Sequence, residues 1–191
     1  MSLFTESYLR GRVTAPGLYT EAGLREFAAR TLLNEKRAVT SAQTFDIFLS
    51  HSSEDAILIK ALRDELADAG YSVYVDWIDD PQLDRSQVSA ATAAVLRERM
   101  RQCRSLLFAT SSAARKSVWM PWELGYMDAH AKTRVAIVPI VPDAQAGNEF
   151  KGQEYLGLYP YFDKSGSTFY IHASAQRYVG FERWLRQLVN P

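Results

Sequence analysis

From Phe45 onward, short continuous apolar runs alternate with stretches in which apolar residues recur every three or four positions, the pattern of strands alternating with helices. Phe45-Asp46-Ile47-Phe48-Leu49-Ser50 reads as a strand. Ser52-Ser53-Glu54-Asp55 then opens a helix, with a cap-capable hydroxyl ahead of first-turn acids that complement the helix dipole. Leu58, Ile59, Leu62, Leu66 and Ala69 form its apolar stripe, and Gly70 stands where it ends. Residues 71–76 are a second strand, followed by a polar loop through Asp79-Asp80-Pro81, and 88–104 a helix carrying Val95, Leu96, Met100 and Cys103. A strand at 105–110, a Trp-rich helix, strands at 135–141 and 169–171, and a closing helix at 178–189 complete the series. Such alternation predicts an α/β fold: a mostly parallel, five-stranded sheet covered by helices on both faces.

The first 43 residues differ in character. Turn signals at Gly11 and Pro16-Gly17 precede one amphipathic helix at about 20–37, whose Leu24, Phe27, Thr31 and Leu32 repeat at helical intervals. The division expected is an N-terminal helical extension over 1–43 and a single domain over 44–191, with the helix packed on that domain.

Composition narrows the function classes. An apolar share of 47% is ample for a core, which excludes global disorder. Acidic and basic residues balance at 22 each, against the basic surface of a duplex nucleic-acid binder. The single cysteine, Cys103, excludes an internal disulfide framework and a Cys-based zinc cluster, and fits a reducing compartment. His51, His130 and His172 form no metal-ligand spacing, so no metal is expected. With neither a targeting segment nor an apolar run of membrane-spanning length, the expectation is a cytoplasmic protein that engages neither membrane nor nucleic acid. No Gly-rich phosphate loop follows the first strand, and no Gly-x-Ser-x-Gly elbow is present.

The chemistry concentrates in Ser117-Val118-Trp119-Met120-Pro121-Trp122-Glu123-Leu124-Gly125-Tyr126. Helical spacing puts Trp119 one turn before Glu123 and Tyr126 one turn after it, where a solvated glutamate would have Lys or Arg. A carboxylate held against flat rings suits a ligand with a stackable ring and a polar sugar; a helix glutamate turned to water is the plainer reading. Parallel sheets bind ligands outside the carboxyl ends of their strands. Ser50-His51-Ser52, Asp76-Trp77 and the stretch from Ser111 to Glu123 all fall there, which favours a functional Glu123.

These residues resemble the Toll/interleukin receptor (TIR) domain family, from Phe45 to about Val189. The resemblance rests on the first strand and loop through Asp55, on Gly70-Tyr71-Ser72-Val73-Tyr74-Val75-Asp76, and on Ser117-Val118-Trp119 followed by Glu123-Leu124. The Trp122-Glu123-Leu124-Gly125-Tyr126 version is similar to bacterial stand-alone members, of the kind that produce signals in Thoeris anti-phage defence. The resemblance implies a flavodoxin-like three-layer sandwich. It also implies cleavage of the nicotinamide–ribose bond of NAD, with Glu123 as the catalytic glutamate and NAD as substrate, so that no cofactor is needed.

The substrate-binding set implied comprises Ser50, His51, Ser52, Asp76, Trp77, Leu83, Asp84 and Trp119. Three have plainer readings as well: Trp119 as core, His51 as a hydrogen-bonding partner of the helix start, and Trp77 as a loop anchor. The family's loop after the second strand usually carries Gly near Arg85-Ser86, and residues 79–87 here contain none. That departure leaves the roles of Leu83 and Asp84 open. The family further implies self-association that completes the site, a cyclic or linear ADP-ribose product, and a separate effector that reads it. A non-catalytic TIR–TIR scaffold is the alternative, and a nucleoside deoxyribosyltransferase-like enzyme a remoter one.

Overall fold

The computed structural model describes residues 2–12, 40, 42–80, 83, 85, 88–111, 114–130, 134–143, 150 and 154–186. The amphipathic helix expected at 20–37 and the candidate residue Asp84 lie outside the described residues.

Among the described residues, the elements run β1 (Phe4–Thr5), α1 (Glu6–Gly11), β2 (Phe45–Ser50), α2 (Ala56–Asp68), β3 (Val73–Tyr74), α3 (Asp76–Asp79), α4 (Ala90–Arg101), β4 (Cys103–Thr110), α5 (Trp119–Asp128), β5 (Arg134–Val141), β6 (Tyr161–Ser165), β7 (Thr168–Ser174), β8 (Arg177–Gly180) and α6 (Phe181–Arg186). Strands β3, β2, β4, β5 and β6 are parallel in that order, and β7 and β8 continue the sheet antiparallel. Strand alternation sorts the core into two layers. Ile47, Leu49, Leu107 and Val138 join Leu58, Ile59 and Leu62 of α2 on one face. Phe48, Leu106, Phe108 and Ile137 join Leu96 of α4 and Met120 and Leu124 of α5 on the other. This is the three-layer α/β arrangement expected.

Among the described residues the sheet has eight strands, where the apolar runs indicate five. The expected 169–171 strand is the middle of an antiparallel meander, and the closing helix starts at Phe181 because 177–180 is its last strand. The second strand pairs only through Val73 and Tyr74, and Asp76 already starts a helical turn. Helix α4 begins after Ser89, whose hydroxyl accepts the Thr92 N–H at 3.0 Å, and gives way before Cys103, which pairs with Phe45 in the sheet. At the end of α2 the sequence reads true: Gly70 has φ 90°, with Gly70 N–H donating to Ala67 O and Tyr71 N–H to Leu66 O, a Schellman closure.

The start of the chain is woven into the sheet. β5 meets β6 only at Ile137–Tyr161; farther along, Phe4 and Thr5 pair with Ile140 and Val141 instead. Ser2 bridges to Lys164 of β6, so the segment fills the gap where β5 and β6 diverge. Phe4 is fully buried and stacks on Phe162 at 5.9 Å, and Leu9 of α1 is fully buried beside it in the same core layer.

Candidate active site

The parity that buries Phe48 toward α5 carries Ser50 to the same side at the carboxyl end of β2. Helix α5 places Glu123 opposite it. Pro121 sits in the first turn of α5, where no intrahelical N–H bond is lost, and Ser117 Oγ accepts the Met120 N–H at 3.3 Å to close that end. Ser50 and Glu123 are both fully buried, and the Ser50 hydroxyl donates to Glu123 Oε2 at 2.6 Å.

The other carboxylate oxygen is bound by an arginine. Arg85 Nη2 donates to Glu123 Oε1 at 2.6 Å, and its Nη1 donates to Asp76 Oδ2 at 2.6 Å. One guanidinium therefore straddles two acids, one at the head of α3 and one in α5. Burial alone acts to raise the Asp76 carboxyl, but the Arg85 guanidinium outweighs it and holds the group below its ordinary value. Burial likewise opposes the charge on Arg85, and Glu123 and Asp76 more than reverse it, so that its proton is held more tightly than usual.

His51 completes the cluster. Its Nδ1–H donates to Leu49 O at 2.8 Å, and its Nε2 accepts the Trp77 indole N–H at 3.0 Å. That pair of partners requires the neutral Nδ1–H tautomer. His51 Nε2 lies 3.4 Å from Asp76 Oδ1, which has no hydrogen-bond partner although Asp76 is 5% exposed. Two carboxylates against one guanidinium leave the cluster with an excess negative charge. Such a place favours a cation.

The structure thus brings Ser50, His51, Asp76, Trp77, Trp119 and Glu123 into one group. Trp119 joins through its indole N–H, which donates to Arg85 O at 3.0 Å, and is itself buried in the core layer. The core reading holds, and the same ring borders the cluster through Arg85. Ser52 faces its own turn, accepting the Glu54 N–H at 3.3 Å. Leu83 is tied by its N–H to Asp80 O and packs against the Trp119 layer. Tyr126 meets other rings of α5 and its end: it stacks on Trp122 at 5.9 Å and lies tilted against His130 at 4.6 Å. Arg85 is the member of the cluster that the sequence does not announce. Its only local signal is a lone arginine in an acidic loop without glycine.

Comparison with known proteins gives concordant matches. The sequence profile of the TIR domain family matches residues 47–175. A protein of Bacillus cereus (strain MSX-D12), named probable 3' cyclic ADP-D-ribose synthase ThsB', is 45% identical over 194 residues, covering 98% of this chain and 100% of its own. A Cytobacillus dafuensis protein, named putative cyclic ADP-D-ribose synthase TIR2, is 32% identical over 104 residues, which cover 54% of this chain and 27% of its own. No helix among the described residues is long and apolar enough to cross a membrane.

Proposed function

This chain belongs to the TIR domain family, and we propose on that premise that it cleaves the nicotinamide–ribose bond of NAD and closes the remaining ADP-ribose into a cyclic signal. The observation that carries the reading is the buried Glu123, fixed from beneath by Ser50, in a cluster with excess negative charge at the strand ends. Both relatives are named as synthases of cyclic ADP-ribose.

The chemistry follows from the charges. In NAD the leaving group is a pyridinium, so the electron pair of the C1'–N bond returns to a nitrogen that becomes neutral nicotinamide. No general acid is required. Positive charge then develops on the ribose as an oxocarbenium ion, and Glu123 stabilises it while accepting hydrogen bonds from the ribose hydroxyls. A nucleophile elsewhere in the same molecule closes the ring and releases one proton; capture by water would give linear ADP-ribose. His51 and Trp77 bond each other beside the acids, and Trp119 walls the cluster through Arg85. NAD is substrate here and not a cofactor.

The setting we infer is the cytoplasm of a phage-infected bacterium, with self-association through the TIR domain and a separate effector that responds to the product. A second reading, a scaffold without chemistry, draws on the complete enclosure of Glu123 in this state. Nicotinamide release from NAD at high protein concentration, beside Glu123→Gln and with products identified by mass spectrometry, separates the two. Release lost in Glu123→Gln, together with a cyclic product, is the expected result. Equal release by both forms overturns the assignment of Glu123, linear ADP-ribose alone overturns the cyclase, and no release from an activated sample leaves the scaffold.

A further inference from the structure

We propose that Asp76 and Glu123 form a cation subsite, that the Arg85 guanidinium occupies it in the resting protein as a stand-in for substrate, and that the cationic nicotinamide ribosyl group must displace it. The proposal rests on the NAD-cleaving reading and names what regulates access to the same carboxylate.

The first support is steric. A catalytic carboxylate has to touch the ribose, yet Glu123 is 0% exposed. Of the groups bonded to it, Ser50 is equally buried and belongs to a central strand, whereas the Arg85 side chain is 17% exposed. Arg85 is therefore the cover, and it lies outside any helix or strand. Its side chain holds Asp76 and Glu123, and its backbone carbonyl is bonded to Trp119.

The second support is chemical likeness. Guanidinium is a flat, resonance-delocalised cation with two parallel donors, here aimed at two carboxylates. The nicotinamide ribosyl group is also a flat delocalised cation, and its ribose offers two neighbouring hydroxyl donors. Exchanging one for the other keeps the charge of the cluster and the donors to Asp76 Oδ2 and Glu123 Oε1. Asp76 Oδ1, buried and unpartnered beside His51, gives a cation a further acceptor that the guanidinium leaves unused. Emptying the place with nothing to replace it would leave two buried carboxylates facing each other, which is costly. Opening without substrate is thus disfavoured.

The test uses the full chain with Arg85→Ala, and Arg85→Gln should the alanine form not fold. NAD turnover is measured with and without millimolar guanidinium, and melting temperature is followed over the same guanidinium range without NAD. The expected result is a kcat/KM for NAD raised about tenfold or more in the variant, because the competent state no longer competes with the latch. Guanidinium then inhibits the variant competitively with NAD, and raises its melting temperature saturably, while leaving wild type and the Arg85→Ala/Glu123→Gln double variant unmoved. A variant that loses turnover and regains it with guanidinium overturns the proposal, since Arg85 would then be needed to position Glu123. Raised turnover without any guanidinium effect overturns the subsite. Saturable stabilisation without NAD turnover in any form supports the cation subsite and refutes the NAD reading instead.

Discussion

Asp80 and Glu123 are both buried acids held by an arginine, but the two arginines come from different kinds of structure. Arg99 projects from the last turn of α4 and grips Asp80 with two bonds, Nε to Oδ2 at 2.5 Å and Nη2 to Oδ1 at 3.0 Å. The Tyr74 hydroxyl donates to the same Oδ2 at 2.9 Å, and Arg99 Nη1 is further braced by Gln102 Oε1. Every partner in that clamp sits on, or at the end of, a helix or strand. Arg85 makes single bonds to two acids and stands outside regular structure. Identical chemistry therefore gives a fixed rivet where the scaffold carries the cation, and an exchangeable contact where a connection carries it.

Substitutions at the two clamps separate these roles. Glu123→Gln removes the charge beneath the exchangeable contact; NAD cleavage should fall about a hundred- to a thousandfold, roughly 3–4 kcal/mol in the barrier. Its melting temperature should stay close to wild type, which calorimetry would check. Arg99→Ala should do the reverse. Stranding the buried Asp80 costs about 3 kcal/mol, seen as a lower denaturant midpoint, and activity per folded molecule should persist. A large activity loss in folded Arg99→Ala would break the distinction.

Asp79, between the clamps, offers a pH-dependent check. Burial pushes its carboxyl up to about 6 from an ordinary 3.8, against the opposing Val75 N–H bond. A carboxyl whose folded value exceeds its unfolded one binds its proton more tightly when folded. It therefore costs stability progressively as pH climbs from about 4 to about 6, and by a constant amount above that. Asp79→Asn should stabilise the protein at neutral pH by about 1–3 kcal/mol, with the gain vanishing below about pH 4 in melts run across that range. Trp77→Phe is the smallest change: losing the indole bond to His51 should cost about 1 kcal/mol and leave the Asp80–Arg99 rivet untouched. A loss several times larger would make Trp77 a structural pillar of the site.

What the sequence reveals and conceals follows from the same local-versus-distant divide. The β2, β4 and β5 strands and the stripe of α2 are legible because each buries its own periodic residues. β1 is too short to show a period, and the half-exposed β8 has no apolar alternation to announce it. Glu123 stands out through its aromatic neighbours, and Ser50, Asp76 and Trp77 through their places at strand ends. Of the two rings spaced about Glu123, Trp119 bonds into the cluster, whereas Tyr126 stacks on Trp122, one helical turn before it. Arg85 stays hidden because its meaning depends on two acids, nine and 38 residues away, that only the folded sheet brings together.

The wedge made by Phe4 and Thr5 has a consequence for synthesis. A ribosome makes these residues early, yet the slot they fill is bounded by β5 and β6, from the far end of the chain. The segment must wait, unpaired, until Lys164 has left the exit tunnel, and loop closure across so long a span is entropically late. A nascent copy thus lacks its finished sheet until β5 and β6 have both been made. A cell making this protein has a built-in delay between translating Glu123 and completing the scaffold that holds it.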